Sequence, residues 1–230
     1  VQAGDADIVA CVAGDTNHID SFRRLLSSFS RFAMDASYPY GYGGPNANFA
    51  LLTDRYMREY GATREMFGHV CVAQRANALR YPGAVMKTPL TMEQYLAARP
   101  IADPIALFDC VMPCAGGEAF LVMREAEAAR RNLPFARIAA TIERHNAFPD
   151  DPIQLRGGWA MDVDDLWGMA GSGPGDMDLV QTYDDYPVIC AMQFEDLGFC
   201  AKGEGAAFLA ARDLTVTGDL PHNTSGGQLS

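Results

Sequence analysis

The chain has 230 residues, enough for one large domain or two ordinary ones, and its apolar fraction of 49% can supply a buried core. Its 29 acidic side chains outnumber the 18 basic ones, which argues against nucleic-acid binding because phosphate backbones are bound by basic surfaces. The sequence lacks the run of about 18 apolar residues that a membrane helix needs, and its start lacks the basic flank of a secretory signal. We therefore expect a soluble, cytoplasmic protein.

Strand-like and helix-like segments alternate along the first half of the chain, which indicates an α/β layered fold. Residues 8–13 form an apolar run that predicts a fully buried strand. The predicted helices of this half cover 22–34 and 48–60, a segment that begins at Thr63 and a short one that begins at Thr91. Thr63 is a candidate N-cap, and Gly61 is a suitable stop for the helix before it.

The second half continues the alternation. Predicted strands cover 105–110, 119–123 and 136–142. Predicted helices cover 124–131 and 188–198, and a further apolar segment covers 206–210. Residues 145–165 are irregular and rich in Pro, Gly, Asp and Trp, a pattern that is typical of functional or mobile loops.

The six cysteines are scattered along the chain, and several lie in apolar runs. Free thiols in such runs behave as small hydrophobic side chains, so we expect reduced cysteines. Cys110 and Cys114 are separated by three residues, but no second Cys or His pair completes a zinc-binding set. The sequence therefore predicts no metal site.

Five segments carry a resemblance that extends over nearly the whole chain. They are 2–9, 60–65, 101–110, 198–205 and 223–227. In their order and spacing they resemble the thiolase superfamily, most of all its sterol-carrier and lipid-transfer-protein branch. The resemblance implies a thiolase-like layered fold of two pseudo-symmetric α/β halves with an inserted loop domain.

Placed on that fold, the chain divides into three parts. Residues 1–36 would end the N-terminal half, 37–104 would form the loop domain with its connecting helices, and 105–230 would form the second half. The chain enters a predicted strand almost at once and ends in a glycine-bearing loop. We therefore expect a fold that is incomplete at both ends, truncated before the last active-site loops.

The segment Tyr183-Asp184-Asp185-Tyr186 corresponds to an active-site loop of the family. Sterol-carrier-type thiolases carry His-Asp-Cys-Phe there. The resemblance implies that Tyr183 is catalytic and donates a hydrogen bond to a developing enolate or exchanges a proton, with Asp185 as its partner. The change resembles the thiolase-like aldolases that shorten steroid side chains by retro-aldol cleavage of a β-hydroxyacyl-CoA. Such cleavage needs no acyl-enzyme, and none of the cysteines matches the family's nucleophile.

The resemblance also implies a substrate site and partners. Gly226 and Gly227 would let the backbone approach a ligand, and His145 in the irregular loop would contact substrate. The substrate would be a CoA thioester, with no permanently bound cofactor and no metal. Enzymes of this kind are expected to be homodimers that work with a small partner protein built from an OB-fold and a zinc ribbon.

Several of these residues have simpler alternative interpretations. Asp184 and Asp185 would suit a surface turn as well as a catalytic pair. Tyr183 could cap a loop, and His145 could be an ordinary exposed histidine. Tyr186 precedes a proline and is expected to pack. We predict a structural role for His222. Glu195 and Asp196 are expected to be solvated charges or charges in the N-terminal half of a helix rather than catalytic groups.

Two other functions remain open. The chain could belong to an acetyl-CoA acetyltransferase of the sterol-carrier type, whose nucleophilic cysteine would precede Val1. It could also be a non-catalytic subunit that binds acyl-CoA or lipid.

Overall fold

The computed structural model describes residues 1, 3–15, 38–41, 44–151 and 153–230, so the helix predicted over 22–34 lies outside the described residues. The strands are β1 (Ile8–Asp15), β2 (Pro100–Ala102), β3 (Ile105–Ala106) and β4 (Gly116–Met123). The helices are α1 (Gly44–Tyr60), α2 (Arg64–Ala78), α3 (Met92–Leu96), α4 (Glu125–Arg130), α5 (Val163–Ala170), α6 (Pro187–Asp196) and α7 (Gly205–Ala210). Short 3-10 helices lie at Tyr38–Tyr40, Leu107–Asp109, Gly158–Met161 and Pro174–Asp176.

The strands β1 and β4 pair antiparallel in a continuous register that starts with Ile8 opposite Met123. The strand predictions at both places are confirmed. The prediction that the first strand is fully buried is wrong, because Val12 is 75% exposed. The two strands form a sheet by themselves in the described part of the chain, and a two-stranded sheet leaves both faces open unless another layer covers them.

Two further strand predictions need correction. Of the run 105–110 only β3 is extended, because the Asp109 carboxylate accepts a hydrogen bond from the Ala106 N–H at 2.8 Å and closes a 3-10 turn. Residues 136–142 are described and have no regular structure, so the strand predicted there is wrong. An apolar run becomes a strand only where a neighbouring segment pairs with its main chain. The apolar side chains of this run are also not buried, since Ile138 is 72% exposed.

The helix ends follow local rules that the sequence already displays. Gly61 ends α1 with φ +70°, and its N–H donates to the carbonyl of Met57 at 2.8 Å. The Thr63 hydroxyl accepts the N–H of Met66 at the start of α2. Thr91 and Gln94 form a reciprocal capping box at the start of α3. The irregular stretch 145–165 is interrupted by a 3-10 turn and by the start of α5.

The core is built around α6, which packs against α1, α2 and α7. Nine of the ten residues of α6 are buried, so this helix is surrounded on all sides. Val188, Cys190 and Phe194 are fully buried and fill the apolar part of the core. Because the polar residues of α6 are also buried, their hydrogen bonds must be made inside the protein.

Glu195 and Asp196 are not solvated charges, and that prediction is wrong. Both are buried at the end of α6 and share the ammonium group of Lys202, whose Nζ lies 2.9 Å from Glu195 and 3.1 Å from Asp196. The hydroxyl of Tyr56 donates to the Glu195 carboxylate, which also accepts the N–H of Gly205 at 2.8 Å. This network ties α6 to α1 and α7.

Within the ranges that the structure describes, no helix is both long and apolar enough to cross a bilayer. The division of the chain into 1–36, 37–104 and 105–230 stays a prediction.

Candidate active site

The candidate site lies on the loop that leads into the central helix α6. Tyr186 adopts an extended conformation with φ −145° and ψ 148°, as expected for a residue that precedes proline, and Pro187 begins the helix. Tyr183 and Asp185 therefore lie directly before the N-terminus of the most buried helix of the described chain. Because the loop has no regular structure of its own, its polar main-chain groups need partners from elsewhere.

Gln193 on α6 supplies two of those partners. Its Oε1 accepts the main-chain N–H of Tyr183 at 3.0 Å, and its Nε2 donates to the carbonyl oxygen of Tyr183 at 2.6 Å. The same Nε2 donates to the carbonyl of Ile189, one turn earlier on the helix, at 3.1 Å. Both main-chain polar groups of Tyr183 are therefore held by one buried side chain.

Asn223 holds the preceding residue in the same way. Its Oδ1 accepts the N–H of Thr182 at 2.9 Å, and its Nδ2 donates to the Thr182 carbonyl at 3.1 Å. A parallel bridge between Val180 and His222 aligns the two segments, and Nε2 of His222 lies 2.7 Å from the Thr182 hydroxyl. His222 is fully buried, which confirms its predicted structural role.

Asp184 fastens the candidate loop to the glycine loop near the end of the chain. It is 2% exposed, and its Oδ2 accepts the N–H groups of Gln228 at 2.8 Å and Leu229 at 3.3 Å. The interpretation of Asp184 as a surface turn is therefore wrong. Burial raises the pKa of this carboxyl, while the main-chain donors lower it. One of its two carboxylate oxygens therefore holds the main chain of the glycine loop.

Both predicted substrate-binding glycines pack closely against protein atoms. A Cβ on Gly226 would lie 2.6 Å from the Cβ of Ala78, and one on Gly227 would lie 2.0 Å from Oδ2 of Asp184. Both residues also have positive φ, +106° and +64°. Close packing thus accounts for both glycines, and their contact with substrate stays a prediction.

Tyr183 and Asp185 carry the polar groups that the loop leaves available. Tyr183 is 54% exposed. Burial and then the neighbouring Asp185 carboxylate raise the pKa of its phenol, so the hydroxyl is protonated at neutral pH. Burial raises the pKa of Asp185, while a hydrogen bond from Tyr183 lowers it. The pair combines a hydrogen-bond donor with a carboxylate that is more basic than a free aspartate.

Tyr186 packs on the inner side of the loop, as predicted. It is 2% exposed, its ring stacks on Phe49 at 4.2 Å between centroids, and its hydroxyl donates to Oδ1 of Asn46 at 2.6 Å.

Cys110 lies near this loop. Burial raises the pKa of its thiol to about 12, and the charges of Asp109 and Asp185 add to the effect. The Cys110 thiol is therefore expected in its neutral form beside the loop.

His145 lies in a different place. Its side chain is exposed, its Nε2 is 2.7 Å from a carboxylate oxygen of Glu143, and it lines an open groove with Phe148 and Arg156. The described residues that line this groove include none of the loop 180–186. The structure thus brings Tyr183 and Asp185 together but does not join His145 to them, and substrate contact by His145 stays a prediction.

The supporting residues Gln193 and Asn223 were not identified from the sequence. In the sequence, Gln193 differs from its neighbours only as the one polar residue in the otherwise apolar run 187–194 of α6. Within the described ranges, no group of three or more His, Cys, Asp or Glu side chains is placed to hold a metal ion.

Comparison with known proteins identifies the family. Residues 159–230 match the model of the family described as "Thiolase C-terminal domain-like". The chain is 34% identical to the "Steroid side-chain-cleaving aldolase" of Thermomonospora curvata, an alignment that covers 100% of this chain and 62% of the relative. It is also 34% identical to the "17-hydroxy-3-oxo-4-pregnene-20-carboxyl-CoA lyase" of Mycobacterium tuberculosis, covering 84% of this chain and 52% of that one.

A solved structure, "Ltp2-ChsH2(DUF35) aldolase", matches with a TM-score of 0.80 and 30% identity, covering 100% of this chain and 61% of that chain. The chain thus spans less than two thirds of the length of each of these relatives. This agreement in fold confirms the predicted thiolase-like α/β class. The chain belongs to the thiolase superfamily, and along its length it is similar to that superfamily's steroid side-chain-cleaving aldolases.

Proposed function

We propose that the protein is a carbon–carbon lyase that cleaves a β-hydroxyacyl-CoA of the steroid side-chain type to a ketone and a shorter acyl-CoA. The observation that carries this proposal is the exposed phenol of Tyr183 beside the carboxyl of Asp185, on a loop whose main chain is held by buried amide side chains. The names of the relatives, an aldolase and a CoA lyase, support the same chemistry.

The reaction breaks the bond between the α and β carbons of the acyl chain. The β-hydroxyl group gives up its proton, its oxygen becomes the ketone oxygen, and the electron pair of the broken bond moves into the thioester enolate. Asp185 accepts the proton, because burial makes its carboxylate more basic. Once Asp185 holds that proton, the Tyr183 phenol, protonated at neutral pH, shifts its hydrogen bond from Asp185 to the enolate oxygen. Asp185 then delivers its proton to the α carbon, which completes the shorter acyl-CoA and restores the carboxylate, so no acyl-enzyme is needed.

The proposal includes partners. The CoA thioester is the substrate, and we expect no permanently bound cofactor. The matched aldolase is named for two components, the second with a DUF35 label, which supports a small OB-fold and zinc-ribbon partner for this protein as well. A homodimer in the cytoplasm is the family-level expectation.

Tyr183→Phe tests the assignment, because phenylalanine keeps the ring and removes the hydroxyl. The full-length gene product, supplied with such a partner and a β-hydroxyacyl-CoA, should lose at least about 100-fold in kcat in this variant, the usual scale of acid–base catalysis. Circular dichroism should show an unchanged fold. Near-normal turnover by the variant would contradict the proposed function.

The same assay separates the alternatives. Products that depend on added free CoA and on a cysteine would indicate an acyltransferase of the thiolase type. Saturable acyl-CoA binding without product, with or without the partner, would indicate a non-catalytic subunit.

A further inference from the structure

Gln193 is buried in α6, with 8% of its surface exposed, and its carboxamide is engaged entirely by main-chain groups. Two of those groups belong to Tyr183, ten residues earlier in the chain. A carboxamide presents one acceptor and two donor positions in a plane, which matches the N–H and carbonyl of one residue. The third bond, to Ile189, fixes the Gln193 side chain on its own helix.

We propose that Gln193 is a positioning residue for Tyr183, fixing the direction in which the phenol projects toward the reacting oxygens. This inference rests on the proposed function, since it assigns a task to Gln193 only if Tyr183 contacts the substrate.

The need for such a residue follows from the loop itself. Residues 177–186 contain no helix or extended strand that would fix their main chain. The Tyr183 ring is more than half exposed, so surrounding side chains do not enclose it. The direction of its Cα–Cβ bond therefore depends on how its N–H and carbonyl are held. A displacement of about 1 Å at a reacting group can cost roughly 100-fold in rate.

Asn223 does not replace Gln193 in this task. It holds the main chain of Thr182, one residue earlier, and so fixes the segment against the glycine loop. Cys190 contributes one weak contact, with its sulfur 3.9 Å from the Tyr183 carbonyl. Among the described residues, Gln193 is the side chain that bonds both the N–H and the carbonyl of Tyr183.

Gln193→Met is the main test, because methionine has similar length, suits a buried site and makes neither bond. In the full-length protein with its partner and a β-hydroxyacyl-CoA, kcat should fall by about 10- to 100-fold while KM changes by less than about twofold. Gln193→Leu likewise makes neither bond and should give the same loss, and it serves if the methionine variant does not fold.

Gln94→Met is the matched control. Gln94 also bonds the main chain through its carboxamide, accepting the N–H of Thr91 at 3.0 Å, but it does so at the exposed start of α3. This variant should lose a little stability and keep kcat, which separates a general loss of helix support from a loss of positioning.

A double-mutant cycle gives the decisive readout. If Gln193 acts through Tyr183, then Gln193→Met should cause almost no further loss of kcat in a Tyr183→Phe background. Equal losses in both backgrounds, or a single variant with wild-type kcat, would overturn the inference. If Tyr183→Phe itself keeps wild-type turnover, the proposed function fails first, and the two failures are thereby distinguished.

Discussion

Gly227 lies so close to Asp184 that a Cβ added to the glycine would be 2.0 Å from the carboxylate oxygen Oδ2. That oxygen accepts the N–H groups of the two residues that follow Gly227 in the chain. The absence of a side chain at position 227 is therefore a condition for the contact between the candidate active-site loop and the C-terminal loop.

Gly227→Ala should consequently destabilise the protein by about 3 kcal/mol or more, the sum of a strained positive φ and a displaced carboxylate. Gly171→Ala is the matched control. Its φ of +65° is nearly the same as that of Gly227, but its Cβ would meet nothing within 4 Å, so the cost should be about 1 kcal/mol. Chemical denaturation measures both. Equal losses of unfolding free energy in the two variants would contradict the close contact between Gly227 and Asp184.

Lys202 forms ion pairs with two buried carboxylates, and its replacement by methionine should leave Glu195 and Asp196 without a counter-charge. Because Lys202 is about one third exposed, water can compensate in part, and we expect a loss of about 2–4 kcal/mol in the free energy of unfolding. Arg58→Met removes a pair with Asp54 on the exposed face of α1 and should cost less than about 1 kcal/mol. Similar losses for both variants would show that the Lys202 network is not effectively buried.

His222 should make stability depend on pH in the acid range. Burial lowers its pKa to about 4 in the folded state, whereas an unfolded histidine titrates near 6.5. The unfolded chain therefore binds a proton first as pH falls, and the contribution of His222, complete above about pH 6.5, is lost progressively toward pH 4. The loss between pH 7 and pH 4 should be about 3 kcal/mol.

His222→Gln provides the comparison for that effect, because glutamine does not titrate and can still reach the Thr182 hydroxyl. Asp184, Asp185 and Asp196 have raised pKa values and act in the opposite direction on acidification, so the informative quantity is the difference between the two proteins. Parallel curves of unfolding free energy against pH would exclude a buried, neutral His222.

Asp185→Asn should lower kcat by about 100-fold or more, because the amide cannot accept the substrate proton. In the wild type, kcat should fall on the acid side as Asp185 becomes protonated, with an apparent pKa above that of an ordinary aspartate because burial raises it. The pH–rate profile of the variant should lack that acid limb. An unchanged profile would remove Asp185 from the proton transfer.

Local features of this fold were predictable from the sequence. Thr63 and Thr91 cap helices through residues three positions away, and Gly61 ends α1 through its own positive φ. The position of Tyr183 and Asp185 on a shared loop was also predictable, because the sequence of this segment resembles a loop of the family. Such features depend on neighbours within a few residues or on a recognisable motif.

Features that depend on distant partners were not predictable. Glu195 is buried because Tyr56, 139 residues away in sequence, donates to it across the core. Residues 136–142 have the composition of a strand, but none of the described residues pairs with them as a neighbouring strand. The sequence around Gln193 does not indicate its contacts. Only the structure shows that its carboxamide forms hydrogen bonds with the main-chain N–H and carbonyl of Tyr183.

The central claim is retro-aldol cleavage through an enolate, and turnover in heavy water tests it most directly. The full-length protein with its partner should convert a β-hydroxyacyl-CoA, without added free CoA, to equal amounts of ketone and a shorter acyl-CoA that carries one deuterium at its α carbon. Mass spectrometry of the product mixture measures both quantities. Cleavage that requires free CoA, or an acyl-CoA product without deuterium, would contradict the account.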